Sequence, residues 1–263
     1  MTLTSVGTQG RNAAAIAMTT AAITAAALTG LPAAAAAAQS ATQAGAQTTA
    51  QAGGGNTGGA ALIPRRDLFG NPSRTSAQVS PDGKMLAFLA PRDGVMNVWV
   101  APMGQMEEAK PITEEKVRPI RSYFWAPDSN QVLYIQDKGG TEDFLLYGVD
   151  LTEGKTRSYT PFEKTRVQVV GVSPAKPDEI LVGLNNRDPR WHDVHRLNLK
   201  TGELTLVRQN DGYAGFEADH DLVLRLAMKP QPDGGMAVET IAADGGTKPL
   251  TVIGPDDALT TNI

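Results

Sequence analysis

The chain of 263 residues contains no cysteine, which excludes disulfide frameworks, thiolate metal sites and a thiol nucleophile. Aromatic side chains are only 5% of the residues, and none stands before Leu62. Charge is missing from the same stretch, where Arg11 is the only ionised side chain. There is no basic excess: 24 Lys+Arg face 28 Asp+Glu, a net charge of −4, so nothing in the composition favours a nucleic-acid backbone as partner. No serine has a glycine two residues away on both sides, so the Gly-x-Ser-x-Gly elbow that exposes a nucleophilic serine is absent.

What fills the uncharged beginning is alanine, threonine, isoleucine, leucine and methionine, from Asn12 to Ala38. An apolar run behind a single cation reads as a secretory signal peptide over residues 1–38, with Ala36 and Ala38 forming an A-x-A cleavage site before Gln39. A transmembrane helix is the competing reading, but Ala and Thr insert weakly, Pro32 interrupts the run and no basic stop-transfer cluster follows. The expected location is therefore the periplasm or the exterior, with no stable membrane span after cleavage. Residues 39–61 hold only Gln, Ser, Ala, Thr, Gly and Asn, too little apolar surface to offset the entropy of ordering, and read as a low-complexity linker.

The remainder, 62–263, repeats itself. Gln78-Val79-Ser80-Pro81-Asp82-Gly83 is echoed by Phe124-Trp125-Ala126-Pro127-Asp128-Ser129, by Gly171-Val172-Ser173-Pro174 and, faintly, by Gly215-Phe216-Glu217-Ala218-Asp219, at spacings of 46, 47 and 44 residues. Each copy carries short apolar runs divided by turn residues, such as Met85–Leu89 and Asn97–Val100 in the first and Val132–Ile135 and Phe144–Tyr147 in the second. Four strands in a unit of this length match one blade of a β-propeller. The expected fold is all-β, with blades at about 76–120, 121–167, 168–212 and 213–252 forming an incomplete ring, and no helix among them. A β-sandwich would have turns at similar intervals without four matched copies.

On residues rather than period, the chain resembles bacterial secreted serine peptidases of the prolyl oligopeptidase family, of the dipeptidyl aminopeptidase or acylaminoacyl peptidase type. The resemblance is carried by Leu62-Ile63-Pro64-Arg65-Arg66-Asp67-Leu68-Phe69-Gly70-Asn71-Pro72, by Asp93-Gly94-Val95-Met96-Asn97-Val98-Trp99-Val100 and by Asn185-Asn186-Arg187-Asp188-Pro189-Arg190. It implies a propeller that limits access of short peptides to a C-terminal α/β-hydrolase domain, which this chain does not contain. No catalytic residue of the family falls on any position here, and neither a metal nor a cofactor is expected. The implied partners are a peptide substrate and the hydrolase domain. The alternative is a freestanding periplasmic propeller that binds a protein or peptide without chemistry.

Candidate binding residues are Arg187 and Arg190, beside Asp188 and Trp191 in a stretch read as a loop; at a propeller funnel an arginine can hold a peptide carboxylate by two parallel bonds. An exposed hairpin with local ion pairs is the plainer reading. His192 and His195, three apart on a strand, point to opposite faces and do not suggest a metal pair. Glu107, Glu108, Glu114 and Glu115 read as a solvated acidic stretch with nothing nearby to raise a pKa.

Overall fold

The structure, a computed structural model, describes residues 63–257, 260 and 261. The signal peptide and the linker expected over 1–61 lie outside the described residues.

Among the described residues sixteen strands form four antiparallel sheets, each made of four strands consecutive in sequence. The first holds β1 (Thr75–Val79), β2 (Met85–Arg92), β3 (Val95–Pro102) and β4 (Lys110–Pro111); the second β5 (Tyr123–Trp125), β6 (Gln131–Gln136), β7 (Leu145–Asp150) and β8 (Thr156–Ser158). The third holds β9 (Val167–Val172), β10 (Glu179–Asp188), β11 (Trp191–Asn198) and β12 (Leu204–Arg208); the fourth β13 (Gly215–Ala218), β14 (Leu224–Pro230), β15 (Met236–Ile241) and β16 (Thr247–Ile253). These are propeller blades in series. No core among the described residues joins the fourth sheet back to the first, so the series is open.

The repeated turn works as its residues dictate. Gly83 adopts φ +75° and donates its N–H to the Ser80 carbonyl at 2.9 Å, while the Asp82 carboxylate accepts from the Ser80 hydroxyl at 2.6 Å and the Lys84 N–H at 3.1 Å. In the second copy Ser129 takes the left-handed conformation, where its hydroxyl accepts the Asp82 N–H at 3.1 Å and so ties neighbouring turns together.

Continuous apolar runs are explained by burial on both faces. Val132 and Tyr134 of β6 enter the core shared with the first sheet, whereas Leu133 enters the core shared with the third. On β10, Ile180, Val182 and Leu184 face the second sheet and Leu181 the fourth. Alternate residues of a strand point to opposite faces, and with a sheet on each side both sets must be apolar.

The first strands of the sheets stand side by side. Gln78 on β1 donates to the Tyr123 carbonyl at 3.0 Å, the Trp125 indole donates to the Gln78 carbonyl at 3.1 Å, and the Tyr123 hydroxyl donates to the Ser76 carbonyl. Between the third and fourth sheets the approach is tight: a Cβ on Gly171 would lie 3.3 Å from Leu222 and 3.4 Å from Ala218.

A short helix, α1 (Arg65–Phe69), precedes the first sheet, outside the four units, and Met106–Glu108 form a three-residue 3-10 turn between β3 and β4. Pro64 presets the backbone for a helical start, its carbonyl accepts the Asp67 N–H at 2.9 Å, and Asp67 carries negative charge in the first turn. One expectation is corrected: of the stretch Arg187 to Trp191, read as a loop, Arg187 and Asp188 end the ten-residue β10 and Trp191 opens β11, with Asp188 opposite Trp191 and only Pro189 and Arg190 between the strands.

Candidate functional site

In a four-strand meander the turn between the second and third strands falls at the same end as the crossing to the next sheet. That end gathers the charge. Arg92 donates to Glu114 at 2.9 Å and to the Thr113 carbonyl at 3.0 Å; Arg118 pairs with Asp137 at 3.3 Å; Arg166 pairs with Glu142 at 2.9 Å and lies over the Phe144 ring. Each ion pair bridges a crossing and a hairpin, so the rim is a chain of latches between successive sheets.

Arg187 is such a latch. Its guanidinium donates to both oxygens of Asp193 at 2.6 and 2.8 Å and to the Asn210 carbonyl at 2.7 Å. Asp193 is buried and also accepts the Asn210 N–H at 2.7 Å. The hydrogen bonds from Arg187 hold the Asp193 carboxyl below its ordinary range, against the opposing effect of burial, and Asp193 in turn raises the Arg187 pKa. Bidentate pairing to a buried carboxylate fixes β10 to the crossing that leads into β13.

Arg190 is arranged differently. It sits in the hairpin turn after β10 with its side chain 74% exposed, and it grips Asp188 two residues back at 3.1 and 2.8 Å. Those bonds, with the Arg190 N–H, lower the Asp188 pKa to about 2. Arg187 and Arg190 therefore occupy one hairpin, each engaged by its own aspartate.

His195 Nδ1 lies 3.0 Å from the Asp193 carbonyl. His192 packs against the sheet where a Cβ on Gly183 would approach its own Cβ to 3.1 Å; its Nε2 is buried with no hydrogen-bond partner, and burial lowers its pKa, helped by the Arg166 charge. Ser173, the serine nearest to the elbow pattern, is buried and donates its hydroxyl to the His220 carbonyl at 2.5 Å, a bond between the third and fourth sheets. Among the described residues no group of three or more His, Asp or Glu side chains is placed to hold a metal.

Glu115 departs from the reading of a solvated acidic stretch. It is half-buried, and its pKa is raised first by burial and then by the charge of Asp137, with a hydrogen bond from Gln136 opposing both. Asp137, the neighbour responsible, follows β6 and is itself buried, so its approach to Glu115 depends on how two sheets meet. Glu115 lines a cavity of about 620 Å³ between the first and second sheets, with Val100, Ile112, Tyr134, Val149 and Leu151 among its walls. The Tyr134 and Tyr147 rings stack at 5.3 Å beside it.

No protein-family model matches the chain. It is 47% identical over 205 residues to dipeptidyl aminopeptidase BIII of Pseudoxanthomonas mexicana, a match spanning 78% of this chain and 30% of that protein. It is 32% identical over 182 residues to dipeptidyl peptidase family member 6 of Caenorhabditis elegans, spanning 66% and 24%. The chain thus spans less than a third of the length of these relatives. Among solved structures, acylaminoacyl peptidase of Pyrococcus horikoshii aligns with a TM-score of 0.45 at 20% identity, over 68% of this chain and 32% of that one. Over the part that it shares with these relatives, the chain belongs to the prolyl oligopeptidase family.

Proposed function

We propose that this chain is the propeller section of a secreted serine peptidase that hydrolyses short peptides, where it limits which peptides reach the active site and carries no catalytic group itself. The carrying observation is the 47% identity to dipeptidyl aminopeptidase BIII over 205 residues, within a relative of which this chain spans 30%. A relative so much longer leaves room for the α/β-hydrolase domain that the reading requires as partner, and the chain's own serines lack the elbow. Export to the periplasm or beyond rests on the sequence of residues 1–38.

Within this reading Arg190 is the residue offered for contact with a substrate carboxylate, because it is exposed and its pairing with Asp188 is a local surface contact that another carboxylate can replace. Arg187 is held by a buried aspartate and serves the scaffold.

The experiment is to sequence the gene for about 1.5 kilobases beyond the Ile263 codon, the length of about three blades and a hydrolase domain, and to assay the whole product on dipeptide amides. An open frame with Gly-x-Ser-x-Gly, then Asp, then His, and release of dipeptides by the product, are expected. A stop directly after Ile263, or a complete product without peptidase activity, would reject the reading. Peptide turnover unchanged by Arg190→Ala would remove Arg190 from it alone.

A further inference from the structure

The crossing from the first sheet to the second and the crossing from the second to the third are built alike. Thr113 accepts the Val98 N–H at 2.9 Å, and Thr160 accepts the Leu146 N–H at 2.9 Å, each from the third strand of its sheet. Two residues beyond Thr160, Phe162 packs on the core between the second and third sheets. Two residues beyond Thr113 stands Glu115, so a carboxylate occupies the place where the next crossing puts a phenyl ring.

Its backbone cannot easily turn away, because Asn97 accepts the Glu115 N–H at 2.8 Å and donates to the Glu115 carbonyl at 2.9 Å, and Asn97 is fully buried. Nor does a cation among the described residues pair with it. From β2, Arg92 pairs with Glu114; on the crossing itself, Arg118 pairs with Asp137, and Lys116 is exposed. From the second sheet the groups that face it are Asp137, which is anionic, and the hydroxyls of Tyr134 and Tyr147, whose own ionisation Glu115 opposes. A side chain that departs from its counterpart in the next crossing, with a neutral Gln136 hydrogen bond in place of a cation to offset its burial, marks a site where stability has been given up for something else.

We infer that Glu115 is a proton-operated latch in the seam between the first and second sheets, loosening the seam when ionised and tightening it when protonated. The protonated carboxyl removes the repulsion with Asp137 and stands in the cavity beside Val100, Ile112 and Tyr134 as a neutral group, nearer to what Phe162 is in the next seam. The upward pKa of Glu115 from its ordinary 4.5 has the same sense: the folded state holds the proton more tightly than the unfolded, so the stabilisation is fully present below the unfolded pKa and is lost as pH rises through the folded one. The inference does not rest on the peptidase reading.

The test is thermal melting of the full chain and of Glu115→Gln from about pH 4 to about pH 8. The variant is expected to melt above wild type at the high end and together with it at the low end, and the Ile120 amide, which ties the crossing to the Met96 carbonyl of β3 at 3.0 Å, to be protected from exchange several-fold better in the variant at about pH 8. A gap between the two proteins that does not change with pH would overturn the latch. Should the variant fold poorly, a carbon-13 titration of Glu115 in the unaltered chain decides the matter: a midpoint above 4.5 supports it, and one at or below 4.5 overturns it.

Discussion

The Tyr159 hydroxyl lies 2.5 Å from the Gln131 carboxamide oxygen, buried between the second and third sheets, and the same hydroxyl lies 2.7 Å from the Leu199 carbonyl. The ring belongs to the crossing, the carboxamide to β6 and the carbonyl to the turn after β11. One phenol therefore joins three pieces of chain 28 and 40 residues apart, in a place where water does not compete.

Tyr159→Phe keeps the ring and removes the one hydroxyl proton that the two acceptors share, leaving the Leu199 carbonyl with only the Gln131 amide at 3.5 Å. A buried carbonyl left without its donor costs about 1–3 kcal/mol, and chemical denaturation of the variant should show a loss in that range with an unchanged m-value.

Gly148 of β7 lies under the same ring. A Cβ there would come to 2.7 Å from the Tyr159 ring and 2.8 Å from a Leu133 methyl, and both side chains are enclosed by the shared core. Gly148→Ala should cost about 1–3 kcal/mol by overpacking, read by the same titration; Gly154→Ala, where the added carbon meets nothing but the φ of +67° is left-handed, isolates backbone strain for comparison.

Removing the two arginines of the β10–β11 hairpin should have unequal effects. Arg187→Ala leaves Asp193 buried without its bidentate partner, and is expected to lower Tm by several degrees, whereas Arg190→Ala should change Tm by about one degree or less. The Asp193 carboxyl lies below its ordinary 3.8 in the folded chain, so this stabilisation is present above that value and lost as pH falls through the folded pKa. The Tm gap between Arg187→Ala and wild type should accordingly narrow in strong acid.

His192 acts in the same sense at higher pH. Burial holds its pKa below the ordinary 6.5, and its Nε2 has no partner to lose. The unfolded chain takes up a proton first as pH falls below about 6.5, so stability declines from there down to the folded pKa. His192→Leu should flatten that decline in a Tm profile between about pH 7 and pH 5; an equal slope in the two proteins would show that other groups govern it.

The four-copy layout was legible in the chain because blade turns need particular backbone conformations. Gly83 takes the left-handed region and the Asp82 carboxylate caps the turn, and only a few residue types do either well. The outer turns carry an equally readable signal: Asp150 and Asn198 each accept two backbone N–H groups with a left-handed glycine four residues on, at Gly154 and Gly202. Family membership was legible for another reason, since long matched stretches report descent directly.

The candidate site was legible only in part. Arg187 and Arg190 look equivalent along the chain, with Asp188 between them, yet Arg187 reaches past Asp188 to Asp193 and to Asn210, 23 residues away. That choice depends on β10 and β11 pairing on to Asp188 and Trp191 through a shift of register, which no local spacing encodes. Glu115 is the sharper case. Local composition describes a run of acids open to water, and what raises its pKa is burial between two sheets together with a carboxylate 22 residues ahead in the chain. By itself the sequence determined the strands, their turns and the family, because those follow from local backbone preference and from inheritance. Which charges are exposed, paired or left without a partner was decided by the tertiary structure, because burial and Coulomb interaction depend on distance through space.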